Sequence, residues 1–322
     1  MLERGAANWI KPGSAAPLSA LADGPPGGVA CWLTTRDGIR IRVAVWAADA
    51  PRGTVLLFPG RTEYIEKYGR AARDLQQRGY ACVVIDWRGQ GLADRLQPNP
   101  ALGHVADFLD YQQDVAAVLA HVAANQLPQP MYLLAHSMGG CIALRSLADG
   151  LSVRAACFTA PMWGIRLSPP LRPAAWALSG ASRHFGFSDR IVPGQSETTY
   201  VLRDGFDGND LTTDAGMFAY MEAQVRAHPE LALGGPSLQW LNAALRETRA
   251  LSRLPAPQVP CLTYLGTDEA IVDTGRIHAR MDTWKTGRLE MIPGSRHEVL
   301  MEVEATRRLA FDGMAAHFDA HR

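Results

Sequence analysis

No run of about 18 apolar residues occurs in this 322-residue sequence, so no membrane-spanning helix is expected. The opening stretch, MLERGAANWIKPGS, lacks the apolar core after a basic start that marks a secretory signal. Neither sign of charge is in excess: 32 Lys and Arg balance 32 Asp and Glu. General nucleic-acid binding needs a basic footprint, so no nucleic-acid partner is expected. Cysteine is scarce. The five residues Cys31, Cys82, Cys141, Cys157 and Cys261 are odd in number and form no CxxC pair. That pattern argues against disulfides or a zinc site and suits reduced core thiols in a cytoplasmic protein. Repeats, low-complexity tracts and cofactor motifs are missing too. The glycines of DWRGQG (86–91) are too few and too late for a dinucleotide fingerprint. No cofactor, no metal and no obligate protein partner are expected.

What is present is an ordinary globular composition, 47% hydrophobic and 20% charged, on a chain long enough for a large core. Residues 1–29 show no clear period and read as an irregular lead-in. CWLTT and IRIRVAVW flank Arg36-Asp37-Gly38, a hairpin signal. From residue 54, short continuous apolar runs alternate with helical patterns: TVLLF, YACVVID, PMYLLA and VRAACFTA are strands buried on both faces. Helices are predicted over 63–78 and 107–126, and after Ser137. This alternation breaks over 161–255, where helical stretches near 171–185, 214–227 and 237–250 lie between glycine-rich connectors. VPCLTYLG (259–266) resumes it, followed by a helix near 275–284, the strand RLEMIP and a last helix from about 303. The fold class is α/β, a mostly parallel central sheet with helices on both faces. Residues 30–160 and 256–322 form its core, and 161–255 is a helical insertion.

The segment LLAHSMGG (133–140) carries the chemistry. A serine hydroxyl is a poor nucleophile unless a base takes its proton and the oxyanion is stabilised. A tight turn between a buried strand and a helix exposes the side chain and aims helix N–H groups at it, and small flanking residues let strand and helix pack. Ala135-His136-Ser137-Met138-Gly139 fits this elbow, with alanine for the first glycine. A plain helix-capping serine is the simpler alternative. His136 reads as spacer, since neighbours on a sharp turn rarely face each other. In such folds the partners follow in the order serine, acid, histidine, each on a loop after a strand. Of nine histidines, His297 alone follows a buried strand near the C-terminus and precedes the last helix. The loop after LTYLG offers two adjacent carboxylates, Asp268 and Glu269, and residue order does not choose between them. Pro59-Gly60-Arg61-Thr62-Glu63 follows TVLLF, where a second oxyanion N–H belongs.

With these stretches in place, the chain resembles the monoacylglycerol lipase and lysophospholipase branch of the α/β-hydrolases, the bacterial lysophospholipases in particular. PGRTEYIEKY resembles the HGxxE oxyanion loop, DWRGQG the DxRGxG turn, AHSMGG the elbow and GSRHEVL the histidine loop. HPELALGGPSLQWL (228–241) resembles a cap segment of the bacterial enzymes. Pro59 stands where the family has histidine, and Ala135 where the elbow has glycine; neither change removes a reacting group.

The resemblance implies an α/β-hydrolase fold with 161–255 as cap, and a triad of Ser137, Glu269 and His297 with Asp268 as rival acid. It implies backbone oxyanion donors at Arg61 and Met138, and Asp86 and Arg88 as stabilisers of their turn. The expected reaction is hydrolysis of a small lipid-like ester, with cap rings Trp163, Trp176, Phe185, Phe187 and Trp240 as candidates for the acyl wall. Transient contact with a membrane surface is compatible with such a substrate. Two competing readings remain. One is a serine aminopeptidase of the prolyl-iminopeptidase kind, holding an α-amine with Glu197, Asp204, Asp207, Asp210 or Glu222. The other is a non-catalytic binding protein on the same fold.

Overall fold

The structure, a computed structural model, describes residues 19–49 and 51–322; most of the lead-in therefore lies outside the described residues. Within them, eight strands form one sheet in the order β1-β2-β4-β3-β5-β6-β7-β8. They are β1 (Val29–Thr34), β2 (Arg40–Trp46), β3 (Thr54–Phe58), β4 (Ala81–Asp86), β5 (Met131–His136), β6 (Ala156–Thr159), β7 (Cys261–Gly266) and β8 (Gly287–Ile292). The predicted hairpin joins β1 and β2, with Gly38 at φ 86° in the turn. β2 runs antiparallel to β4, and every later pairing is parallel.

The continuous apolar runs have a direct cause. Side chains alternate between two cores, one on each face of the sheet. Leu56 and Phe58 join Val83, Ile85, Leu133 and Ala135 on one side. Val55 and Leu57 join Cys82, Val84, Tyr132 and Leu134 on the other. Against these faces lie α1 (Ser19–Ala22), α2 (Gly69–Gln77), α3 (Tyr111–Ala124), α4 (Met138–Ala148), α9 (Thr274–Met281) and α10 (Glu304–Asp319). The α/β-hydrolase expectation holds. All five cysteines are free thiols.

Helix starts differ from the sequence reading in detail. The expected helix over 63–78 opens as a 3-10 turn, Ile65–Tyr68, and α2 begins only at Gly69. A Cβ at Gly69 would stand 1.9 Å from the carbonyl oxygen of Ala22, so the contact with α1 requires glycine there. The helix over 107–126 likewise opens as a 3-10 turn, capped by Asp107 and Asp110 in a reciprocal capping box.

Between β6 and β7 lie α5 (Leu171–His184), α6 (Tyr200–Arg203), α7 (Ala215–Ala227) and α8 (Leu238–Leu251). The short α6 carries no period a sequence could reveal. α8 runs along α4 as well as α5, tied by Arg145 Nε to Glu247 Oε1 at 2.7 Å. Among the described residues, no helix is long and apolar enough to cross a membrane.

The site's position follows from strand order. The chain passes from β3 to β4 on one side, then returns to place β5 on the other side of β3. A crevice opens outside the carboxyl ends of strands at such a reversal. The loop Pro59–Glu63 leaves β3 there, and Ser137 leaves β5.

Candidate active site

Ser137 sits between β5 and α4 with φ 49° and ψ −117°, a conformation non-glycine residues seldom adopt. Strain of this kind, about 1–3 kcal/mol, survives only where the surroundings enforce it. Here they do. Ser137 N donates to Thr159 O at 3.1 Å, while Met162 N and Gly140 N donate to Ser137 O at 2.8 and 2.9 Å. The elbow's small residues are required by contact: a Cβ on Gly139 would stand 2.1 Å from Phe58 O, and one on Gly140 2.5 Å from Pro161 Cβ. Ala135, in place of the usual glycine, is fully buried in the core beneath.

His297 follows β8, and its Nδ1 lies 2.6 Å from Glu269 Oε2. The other carboxylate oxygen, Oε1, accepts from Ile271 N at 2.5 Å and Val272 N at 3.0 Å. Burial pushes the Glu269 carboxyl up, but the attraction and hydrogen bond of His297 and these two amides outweigh it and hold it below the usual range. Asp268 is exposed, and among the described residues its carboxylate is hydrogen-bonded only to Thr267 Oγ1, at 3.1 Å. Of the two rivals, Glu269 is therefore the one on the imidazole.

Ser137 and His297 line one cavity of about 330 Å³, within the size range of small-molecule sites. Among the described residues no hydrogen bond joins the hydroxyl to the imidazole. The His297 loop is pinned by the segment between α6 and α7, with His297 N donating to Asp210 O at 3.2 Å and Glu298 N to Leu211 O at 2.8 Å. Glu302 adds to this clamp, accepting from Thr213 N at 3.1 Å and Arg296 N at 2.9 Å. Sequence reasoning missed the clamp, because its halves lie far apart in the chain and neither has a motif.

The loop after β3 is held from beneath. Trp87 Nε1 donates to Pro59 O at 2.9 Å and Gln90 Nε2 to Gly60 O at 2.8 Å, so the DWRGQG turn braces it. Asp86 in turn accepts from Ile65 N, Leu92 N and Arg42 Nε, and Arg88 pairs with Asp114 and Asp37. Gly60 N donates to Glu63 Oε2. The N–H of Met138, as the first residue of α4, has no acceptor in a preceding helical turn. Among the described residues Arg61 N has none either.

At the crevice floor lies a largely buried charge cluster. Lys67 Nζ stands 2.5 Å from Glu63 Oε1 and 2.6 Å from Glu298 Oε1. His136 Nε2 is 3.5 Å from Glu63 and 3.4 Å from Glu298, ion-pair range without a directed hydrogen bond. The His136 ring lies 4.8 Å, centroid to centroid, from that of His297. Burial disfavours charge on His136, yet Glu298 and Glu63 outweigh it and raise its pKa above the ordinary histidine value. Burial acts likewise on Glu298, but Lys67, His136 and His297 hold its carboxyl well below the usual range. Glu63, His136 and Glu298 also have metal-ligand spacing, with ligand atoms within 4.8 Å of one another. The Lys67 ammonium already supplies the cation between the two carboxylates, so the donor set fits a salt-bridge network better than a metal.

The cavity wall departs from the expectation. None of Trp163, Trp176, Phe185, Phe187 or Trp240 lines it. Trp163 is buried with Nε1 donating to Gly140 O at 3.1 Å, and its ring packs on Phe158 and Trp284. Trp240 packs on Phe108, Trp176 lines a separate cleft with Trp163, Phe187 is half-buried, and Phe185 is 78% exposed. The apolar wall comes instead from Val201, Leu211, Met221, Val225, Leu233 and Ile271.

Comparison with known proteins agrees with this architecture. The family of hydrolases described as serine aminopeptidase, S33, matches residues 49–304. Lysophospholipase L2 of Escherichia coli (strain K12) is 32% identical over 299 residues, covering 90% of this chain and 87% of that protein. The probable lysophospholipase L2 of Haemophilus influenzae is 30% identical, covering 86% and 88%. A soluble variant of monoglyceride lipase from Saccharomyces cerevisiae superposes with a TM-score of 0.70 at 21% identity, covering 90% of this chain and 94% of that one.

Proposed function

Because the chain belongs to the serine aminopeptidase, S33, family of hydrolases, alongside the lysophospholipases L2, we propose that it hydrolyses carboxylic esters of lipid-like molecules through an acyl-enzyme on Ser137. The observation that carries this reading is the Glu269–His297 pair at 2.6 Å, facing the cavity that Ser137 lines. His297 takes the hydroxyl proton as Ser137 Oγ attacks the ester carbonyl, and the N–H groups of Arg61 and Met138 receive the oxyanion. The imidazolium then protonates the leaving alcohol. In the second half His297 deprotonates water, which attacks the acyl-enzyme and releases the fatty acid. Apo hydrogen bonds of this kind are often long and tighten only with substrate.

Residues 161–255 act in this reading as a cap over a core of 30–160 and 256–322. The acyl chain packs on Val201, Leu211, Met221, Val225 and Leu233. The aminopeptidase reading loses its candidates. Asp204 is bound to Arg203, Glu222 to Arg226 and Glu197 to Asn99, and none of the five proposed acids lines the cavity. Free thiols agree with the cytoplasm as the proposed location.

A fluorophosphonate probe is expected to label Ser137 stoichiometrically, read by mass spectrometry of the tryptic peptide. Labelling elsewhere, or none on folded protein, would favour the non-catalytic alternative and sink the proposal. Glu269→Gln should lower kcat by about 10⁴-fold, as loss of the triad acid does when it misplaces the histidine tautomer. Asp268→Asn should change it less than about threefold, since among the described residues that carboxylate is hydrogen-bonded only to a neighbouring threonine. The reverse ranking in ester-hydrolysis assays would reassign the acid.

A further inference from the structure

The guanidinium of Arg61 is a partly buried cation with no carboxylate in ion-pair contact among the described residues. Its side chain leaves the loop after β3 and lines the cavity of Ser137 and His297. Nη1 donates to Gly234 O at 2.8 Å, and Cζ lies 5.5 Å from the Trp240 ring centroid. Nε and Nη2 donate to no described atom. Burial pulls its pKa down to about 10, opposed only by Tyr111.

Several other enclosed cations are better satisfied, although among the described residues Arg307 Nε is buried without a partner and Arg296 likewise has a single carbonyl, that of Thr212. Arg42 is bound by Glu66 and Asp86, Lys67 by Glu63 and Glu298, and Arg88 by Asp114 and Asp37. Arg95 and Arg280 lack a carboxylate, but each spends its fork on two or more carbonyl oxygens. Arg203, which also faces the cavity, is held at Nε and Nη2 by Asp204. Arg61 has one carbonyl and an open edge, and it lines the cavity of Ser137, which Arg296 and Arg307 do not. A partly buried cation without a counter-charge, lining a cavity, is a ready partner for an anion that enters it.

We propose that Arg61 is a specificity-determining residue of the Ser137 site, its open edge receiving the phosphate of a glycerophospho headgroup in preference to a neutral acylglycerol. The proposal rests on the ester-hydrolase reading above. Since the same residue supplies the proposed amide beside the reacting carbonyl, its guanidinium stays within a side-chain length of the ester. A glycerol backbone puts a comparable span between ester and phosphate. Of the charges on Glu63 and Glu298, which also face the cavity, Lys67 between them offsets one, and the His136 imidazole stands beside both. A planar fork suits a phosphate, and hydrogen bonds between ionised partners are the strong ones.

The test compares a lauroyl lysophospholipid with monolauroylglycerol on wild type, Arg61→Gln and Arg61→Lys. The ratio of kcat/KM for the two substrates should fall about tenfold or more in Arg61→Gln, chiefly through KM, and recover in part in Arg61→Lys. Glycerol 3-phosphate should compete with p-nitrophenyl butyrate on wild type and lose affinity by a similar factor in Arg61→Gln. An unchanged ratio, with both substrates equally impaired, would overturn the proposal and leave Arg61 as a clamp on Gly234. So would competition by butyrate and not by glycerol 3-phosphate, which would place the guanidinium on the acyl side. Should Ser137→Ala retain turnover, the ester-hydrolase reading fails separately; calorimetric binding of glycerol 3-phosphate still reads Arg61 without catalysis.

Discussion

Replacing Ser137 by alanine should reduce ester turnover by about 10⁴-fold or more while the protein stays folded. Two other nucleophilic groups of the cavity are not activated: Lys67 is locked between two carboxylates, and the Tyr64 hydroxyl is bonded to Gln224 with its pKa driven well above its ordinary value by burial. Alanine keeps the Cβ and the backbone bonds to Thr159 and Met162, so the positive φ remains enforced and the melting temperature should move little. His297→Ala should lose a similar factor, and the double variant no more than the worse single one, since residues that act as a unit are not additive. Burst kinetics with a p-nitrophenyl ester provide the measurement: wild type should show an acyl-enzyme burst and both variants none. Retention of about a tenth of wild-type activity in Ser137→Ala would remove the hydroxyl from the mechanism.

The parts of this site legible in the sequence are those fixed by local geometry. The elbow shows because strand, tight turn and helix impose small residues at 135, 139 and 140, and the structure finds Gly139 and Gly140 in direct backbone and proline contact. His297 shows because it follows a strand and precedes the last helix. The acid was legible only to the point of two adjacent carboxylates; family resemblance favoured Glu269, and the amides of Ile271 and Val272 explain why that side chain turns inward. The cavity wall was not legible. Large rings were expected there, but Trp163 and Trp240 gain more from full burial against other rings, and Trp163 finds an acceptor for its N–H there. The actual wall comes from the single-turn α6, from α7 and from loops, where spacing carries no signal. The buried charge cluster was not legible either, although Glu63 and Lys67 stand four residues apart. Its third and fourth members, His136 and Glu298, come from distant elements and no pattern announces them.

That buried cluster makes Lys67→Met the substitution expected to cost most in stability. Removing the ammonium leaves Glu63 and Glu298 facing each other, nearly sequestered from water, with His136 as the remaining cation. Removing one partner of a buried pair typically costs about 3–5 kcal/mol, because the other charge stays desolvated and unpaired. Glu63 also holds Gly60 N and Tyr68 OH, so the loop bearing Arg61 should loosen and ester turnover fall with stability. The penalty should depend on pH with a definite sign. A histidine whose folded pKa is raised contributes stability that is fully present below its unfolded value and lost as pH rises through the folded one. His136 is such a group, raised by Glu298 and Glu63 against burial and opposed by Lys67. Without Lys67 its charge matters more, so the variant's deficit should be smallest on the acid side of the ordinary histidine value of 6.5 and widen above it. Denaturant titrations of wild type and Lys67→Met across that range measure the difference directly. A pH-independent deficit would mean that His136 is neutral in the fold, and a deficit under about 1 kcal/mol would mean that water reaches the two carboxylates.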